Sequence, residues 1–332
     1  MIGYYIHHHG RGHLSRAVAI ARALDGPVTG LSSLPRPTEW LGDWVRLPTD
    51  EAGAALDPDA HGELHWAPLG NAGLRSRMAR IAEWIDRQQP RALVVDVSVE
   101  VGLLARLHGV PVVTIAMPGR RTDRAHVLGY AISSAVIGAW PPAATGMGGG
   151  LPPLDERLHA VGAISRFAPA EPRAPAPPAG PRRAVVLGGA GGDSFTSEAI
   201  GRASAATPGW DWLHLGAHGT WVDDPWGALL AADVVITHAG ESAIAEAAAA
   251  RRPAIVIPQP RPHDEQRSTA EVLADRAWPA LVLPEWPADG WPALLESASQ
   301  LDARGWQAWN DGHGAERAAA VVVAASRARS AA

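Results

Sequence analysis

Two glycine-containing segments, His238-Ala-Gly240-Glu241-Ser242 and Gly10-Arg11-Gly12-His13, hold the residue types in this sequence best suited to chemistry. The first follows the apolar run Asp233–Thr237 and precedes an alanine-rich helical stretch. A strand-to-helix turn of this kind aims free backbone amides and the positive helix end outward, which makes an anion site. Ser242 and Glu246 are four residues apart and share a helix face, about 6 Å apart along the axis. That separation is close to the one between a nucleotide's phosphate and its ribose hydroxyls. The first turn can therefore hold a diphosphate while Glu246 accepts from the ribose. The spacing is equally compatible with Ser242 as an ordinary first-turn residue and Glu246 as a solvated side chain.

In the second segment the glycines permit a tight loop of close approach and place His13 at the start of a helix that begins near Leu14. A histidine there is a candidate proton acceptor, or else a first-turn residue without chemistry. The run His7–His9 with His13 suggests a metal, but consecutive histidines in extended geometry cannot all face one ion, so no metal site is expected.

Composition narrows the chemistry further. The chain has no cysteine and no lysine, so all 29 basic residues are arginine. Thiolate catalysis, disulfides, iron–sulfur clusters, Schiff bases and the P-loop lysine are excluded together. Any phosphate must be held by arginine, histidine, backbone amides or helix ends. A net charge of -5, with the arginines scattered, argues against nucleic acid. No apolar run approaches the roughly 18 residues of a bilayer span, and the start of the chain lacks a basic or long apolar leader, so a cytoplasmic protein is expected.

The elements that must position these residues alternate. In the first half, Ile2–Ile6 reads as a strand, Leu14 to Leu24 carries one buried helix face, and Ala92–Asp96 and Val110–Met117 read as strands around a helix over Val101–His108. A further unit runs through Val127–Tyr130 to Ser134–Trp140. Residues 50–73 are irregular and read as a binding loop or a disordered one. Residues 167–181, FAPAEPRAPAPPAGP, lack core-forming residues and read as an interdomain linker. The alternation then restarts with strands at Ala184–Leu187, Trp212–Leu215, Asp233–Thr237, Ala254–Ile257 and Ala280–Leu283, and helices near Ser197–Ala206 and Glu265–Ala274. The expected fold class is α/β, with two Rossmann-like parallel-sheet domains, 1–166 and 182–332, facing across a cleft. The last helix is expected to pack back on the first domain.

The set His238-Ala-Gly240, Glu246, Arg252-Pro253-Ala-Ile-Val-Ile-Pro258 and Asp264-Glu265-Gln266 resembles the donor-binding signature of GT-B glycosyltransferases, in particular the MurG type of family 28. The resemblance spans about residues 184–283 and weakens upstream, where it rests on Gly10-Arg11-Gly12-His13. It implies that Glu246 binds ribose, that Val222 in Trp221-Val222-Asp223-Asp224 meets the base through its backbone, and that Asp264 and Gln266 contact the donor sugar. Asp264 at a helix head is also an ordinary N-cap. The glycine loop of Gly188, Gly189, Gly191 and Gly192 resembles the family's loop near the donor phosphates, giving Gly10, Gly12, Gly189, Gly191, His238, Gly240 and Ser242 as phosphate-binding residues. His13 becomes the general base. Ala243 and Ala270 stand where the family commonly has a hydroxyl residue and an asparagine, and Glu241 adds negative charge beside the presumed diphosphate.

The implied activity is an inverting, metal-independent transfer of a hexose-type sugar from a nucleoside diphosphate donor, UDP most of all, to a hydroxyl acceptor. The nucleotide-sugar is a substrate and no cofactor is expected. Asp57-Pro58-Asp59 mimics the acidic metal motif of other glycosyltransferases but lacks its flanking strand. The acceptor class stays open among small molecule, lipid and glycan, and so does peripheral membrane contact. His61, His65, Trp66 and residues 118–124 are the surfaces to watch for it. The alternatives are a non-catalytic nucleotide-sugar-binding protein, an epimerase of the same fold, and a serine hydrolase built on Ser242. The hydrolase motif wants a glycine where Ile244 stands.

Overall fold

A computed structural model describes residues 1–8, 11–51, 55–172, 180–189, 195–275 and 278–327. Gly10 and Gly191 lie outside the described residues, as do residues 173–179 of the proline-rich segment and the side chain of Arg11.

The first sheet is wholly parallel. It takes β1 (Ile2–Ile6), β2 (Val28–Ser32), β3 (Trp44–Arg46), β4 (Ala92–Asp96), β5 (Val112–Ala116), β6 (Ala135–Gly138) and β7 (Leu158–Ala160), in the order β3-β2-β1-β4-β5-β6-β7. Its helices are α1 (Arg11–Ala23), α2 (Ala72–Gln88), α3 (Val99–Leu107) and α4 (Arg124–Ala131). The central strands are apolar on both faces and fully buried, as a sheet covered on both sides by helices requires. The second sheet takes β8 (Arg182–Leu187), β9 (Trp210–Leu215), β10 (Val234–Thr237), β11 (Ala254–Val256) and β12 (Ala280–Val282), in the order β12-β11-β10-β8-β9, again parallel. With it go α5 (Ser197–Ala205), α6 (Trp226–Ala231), α7 (Glu241–Ala249), α8 (Glu265–Leu273), α9 (Trp291–Ser299) and α10 (Trp306–Trp309).

Strand order decides where a ligand can sit. In the first sheet the chain leaves β1 toward β2 and later returns to β1's other side as β4; in the second, β9 and β10 flank β8 in the same way. Each reversal opens a crevice at the carboxyl ends of the strands. In register, Ile6 lies beside Asp96 and Leu187 beside Thr237, so the segments that follow β1 and β4, and those that follow β8 and β10, start side by side. The three sequence segments expected to do chemistry or bind phosphate, which follow β1, β8 and β10, therefore leave from these two crevices.

The final helix α11 (Gly314–Arg327) crosses back to the first sheet, where Ala318, Val322 and Ala325 join Ile20, Val113 and Ile137 in one core. A second apolar cluster spans both domains, with Tyr130, Trp140 and Met147 on one side and Ile244, Leu273 and Trp309 on the other. Tryptophan fills space that phenylalanine occupies in many cores: Trp40 and Trp44 stack edge-to-face in the first domain, and Trp212, Trp286 and Trp291 cluster in the second. The irregular stretch before α2 is a loop closed by a Leu56–Leu69 bridge, and Asp57 within it accepts from the backbone of His61. No helix of the described residues is long and apolar enough to cross a membrane.

Candidate functional site

The helix α1 starts three residues earlier than the sequence pattern suggests, which puts His13 inside its first turn. Its Nδ1 lies 2.9 Å from Asp96 Oδ1 at the end of β4 and 3.1 Å from Arg16 Nη2, and the carboxylate favours the tautomer with the ring proton on Nδ1. Nε2 then carries the lone pair. Asp96 is fully buried and also accepts from Arg16 Nη2 at 2.9 Å, Arg16 being one turn along α1. Burial alone raises the Asp96 carboxyl pKa, but the charges and hydrogen bonds of Arg16 and His13 overcome it and hold the group well below the usual carboxylate range. It is a fixed anion behind the imidazole. Val97, the next residue, has φ 69°, a left-handed backbone that a β-branched residue adopts only under constraint.

Opposite stands the head of α7. Gly240 is its N-cap and contributes no side-chain bond, so the first-turn amides are not capped by a side chain of that residue. The fit across the cleft is close: a Cβ on Gly12 would lie 2.5 Å from Ser242 Oγ. A larger residue there requires the Ser242 side chain to shift. Glu241, in the first turn of α7, reaches Arg16, Oε1 lying 2.7 Å from Nη1, so its charge is met by the guanidinium. Its burial still pushes its carboxyl upward against the pull of Arg16, and Oε2 has no hydrogen-bond partner among the described residues.

His238 sits where Gly189 and Gly240 converge, since a Cβ on either glycine would meet its ring, at 2.8 and 2.5 Å. Its Nδ1 accepts from the Gly240 amide at 3.0 Å, which fixes the turn ahead of α7. Gln266 stands beside it with Nε2 at 3.3 Å from His238 Nδ1, while its Oε1 accepts from the Gln259 amide at 2.9 Å. Gln266 is buried and so has a structural task that sequence reasoning did not credit to it. Asp264 occupies the N-cap position of α8 but, contrary to expectation, makes no capping bond. Its φ of 55° turns the side chain from the helix amides, and it pairs instead with Arg120 Nε at 3.4 Å.

Glu246 lies on α7 four residues after Ser242, nearly buried, and Arg166 Nε donates to its Oε1 at 2.8 Å. Arg166 Nη1 also donates to the Asp223 carbonyl at 2.7 Å, next to the half-open Val222. The Glu246 carboxyl is pushed upward by burial, with Arg166 offsetting part of it. Ala243 and Ala270 both pack in apolar clusters, Ala243 against Val185 and Leu187, Ala270 in the interdomain cluster. The structure thus brings Gly12, His13 and Ser242 together at one point, gathers Gly189, His238, Gly240 and Gln266 beside it, and sets Glu246 and Val222 one helical turn or more away.

Asp96, Arg16 and Arg166 escaped sequence reasoning. A carboxylate ending an otherwise apolar buried strand was a usable signal for Asp96; nothing local marks Arg166.

Residues 220–285 match the glycosyltransferase family 28 C-terminal domain. The chain is 30% identical over 259 residues to the UDP-N-acetylglucosamine–N-acetylmuramyl-(pentapeptide) pyrophosphoryl-undecaprenol N-acetylglucosamine transferase of Sorangium cellulosum, covering 66% of this chain and 62% of that one. It thus spans less than two thirds of the length of the curated relative it matches. Among solved structures, MurG of Acinetobacter baumannii superposes with a TM-score of 0.63 at 16% identity, over 97% of this chain and 99% of its own. The kitacinnamycin glycosyltransferase gives a TM-score of 0.67 at 17% identity, over 98% of both chains. These similarities establish the two-sheet GT-B fold.

Proposed function

We infer that this chain, whose residues 220–285 belong to the glycosyltransferase family 28 C-terminal domain within a GT-B fold, transfers a hexose-type sugar from a nucleoside diphosphate donor to an acceptor hydroxyl with inversion. The observation that carries the reading is the His13–Asp96 pair at 2.9 Å, set on the first sheet's crevice and facing the head of α7 across the cleft. Asp96 orients the ring and stabilises the imidazolium that forms when Nε2 takes the acceptor's proton, as the carboxylate of a catalytic triad does.

The acceptor oxygen then attacks the anomeric carbon from the side opposite the diphosphate. The bond from that carbon to the diphosphate oxygen breaks, and the electron pair leaves with the diphosphate. The amides and dipole at the head of α7, with the glycine at 189 and the imidazole of His238 beside it, supply the positive field for that leaving charge. No divalent ion is needed for this stabilisation. Glu246 accepts from the ribose hydroxyls while Arg166 joins it to the Trp221–Asp224 segment, whose backbone at Val222 meets a uracil. The donor sugar lies toward Asp264 and Gln266, with Gln266 acting through its position beside His238.

The test is a panel of nucleotide-sugars and acceptors with stereochemistry read at the product's anomeric centre. UDP-sugar turnover that gives the inverted product, survives a chelator of Mg²⁺ and Mn²⁺, and falls about 10²–10⁴-fold in His13→Ala is the expected result. Binding of UDP-sugars without transfer to any alcohol, phenol, lipid or sugar acceptor overturns it in favour of a binding protein.

A further inference from the structure

We propose that His65, Asp123, His126 and His263 form a transition-metal site that takes Zn²⁺ and clamps the two domains together. One potential ligand atom from each of the four lies within 4.8 Å of all the others. His65 Nε2 is 3.1 Å from both Asp123 Oδ1 and His126 Nδ1, and His263 Nδ1 is 3.8 Å from Asp123 Oδ2. Zinc bound tetrahedrally at about 2.0–2.1 Å sets its ligand atoms about 3.3 Å apart, so most of this set needs only small side-chain adjustments. Three imidazoles and one carboxylate select a borderline ion such as Zn²⁺; Mg²⁺ and Ca²⁺ want oxygen ligands.

Each donor is held by its own piece of structure. Glu100 Oε1 accepts from the backbone amides of His65 at 2.7 Å and Trp66 at 3.0 Å, pinning the loop that presents His65. Asp123 is the N-cap of α4 and accepts from the amide of His126, so the two side chains rise from the same turn. His263 comes from the second domain. It and Asp264 are consecutive non-glycine residues with left-handed backbone, at φ 60° and 55°, a conformation seldom held without a compensating constraint. The His263 carbonyl accepts from the Arg120 amide at 2.7 Å, which seats this loop on the first domain. The rings of His126 and His263 then meet edge-to-face with centroids 4.8 Å apart. His65 and His263 each remain about one third exposed, at 32% and 33%, which leaves an entry for an ion.

Binding has an identifiable cost. Coordination through His126 Nδ1 breaks its 2.5 Å hydrogen bond to Asp123 Oδ2 and leaves the ring proton on Nε2, which faces Arg121 Nη1 at 3.3 Å. That contact is given up, while Arg121 keeps the Pro118 carbonyl and Glu265. The site is therefore weaker than a closed structural zinc site. Because three ligands belong to the first domain and one to the second, the ion holds the 262–264 loop against the 118–121 segment. The ion site does not rest on the sugar-transfer reading, although His65 and Asp123 lie on the surfaces named for the acceptor and His263 adjoins Asp264; none of the four ligands is the base or its partner.

The experiment uses full-length protein without a polyhistidine tag, stripped with chelator and titrated with Zn²⁺ by calorimetry and with Co²⁺ by visible absorption. One ion per chain, Co²⁺ bands of tetrahedral intensity, a higher unfolding midpoint and slower amide exchange at His263 and Asp264 are expected. His263→Ala and His65→Ala should each weaken Zn²⁺ binding by at least about tenfold. The double variant His7→Ala/His8→Ala should bind as the parent does, which separates this site from the histidine run after β1. Absence of saturable binding, or affinity unchanged in both His263→Ala and His65→Ala, overturns the proposal. Circular dichroism checks that each variant is folded, and His65→Ala carries the test if His263→Ala is not.

Discussion

Arg16 Nη1 lies 2.7 Å from Glu241 Oε1, and the same guanidinium grips Asp96 at 2.9 Å, so one side chain joins the partner of the base to the head of the helix that faces it. All three groups are largely withdrawn from water. Desolvation makes such a pair poor evidence of net stability, but removing one partner strands the other charge. Because Arg16 keeps Asp96, Glu241→Ala should destabilise the protein by less than the roughly 3–5 kcal/mol of a fully stranded buried charge. Glu241→Gln, whose amide oxygen still accepts from Arg16, should cost clearly less. Denaturant unfolding of the two variants checks this, and equal losses would show that the contact is not carried by the oxygen facing Arg16.

Asp96→Asn separates orientation from packing. The amide has nearly the same volume, yet its NH₂ or carbonyl faces His13 without the full charge that stabilises imidazolium. By analogy with other carboxylate–imidazole pairs, turnover should fall about 10²–10⁴-fold with the nucleotide affinity little changed. Stability shifts too, with a definite sign. Asp96 titrates below its unfolded value in the native protein, so its contribution is present above the ordinary carboxylate range, near pH 4, and disappears as pH falls through the lower native pKa. Asp96→Asn should accordingly lower the unfolding midpoint at neutral pH and flatten its loss in acid. A parallel acid profile in parent and variant would contradict the assignment.

Much of the architecture was legible because parallel strands buried on both faces read as apolar runs such as Ala92–Asp96 and Asp233–Thr237, the second followed by a turn that contains Gly240. Fold class came from those local signals and the donor-side signature from resemblance to a known family, and the similarity to known glycosyltransferases agrees with both. Pairs distant in sequence did not declare themselves. Arg16 and Asp96 are 80 residues apart, and Arg166 and Glu246 are also 80 apart, so only the packed sheets reveal them. Short edge strands such as Trp44–Arg46 carry too few residues to show a period. Gln266 and Asp264 illustrate a different limit: side-chain direction within one turn decides whether a residue caps, packs or faces a ligand, and residue type alone does not fix it.

Gly12→Ala tests the closeness of the cleft. The added methyl would stand 2.5 Å from Ser242 Oγ, well inside contact distance, and overpacking of this kind costs about 1–3 kcal/mol. The variant should lose thermal stability and turnover together. Ser242→Ala removes the oxygen that the methyl meets and leaves Cβ at an ordinary distance of 3.6 Å. The double variant Gly12→Ala/Ser242→Ala should therefore recover most of the stability that Gly12→Ala loses, whatever happens to phosphate binding. Additive losses in the cycle would show that the two loops do not meet in solution.

Glu246 makes nucleotide binding depend on pH in a direction that burial sets. Its carboxyl is raised above the ordinary glutamate value near 4.3, with Arg166 pulling the other way, and the charged carboxylate accepts from two ribose hydroxyls more strongly than the protonated acid does. UDP affinity measured by calorimetry should therefore begin to fall, as pH is lowered, at a pH above that of an exposed glutamate. Glu246→Gln should be weaker at neutral pH by about 1.5–3 kcal/mol, the range for a hydrogen bond to a charged group, and should lack the acid-dependent loss. Arg166→Met supplies the cross-check. Without the guanidinium the carboxyl rises further, so the loss of affinity should move to still higher pH. An acid limb that is the same in the parent protein and in Glu246→Gln would assign the titration to another group, and with it remove Glu246 from the ribose.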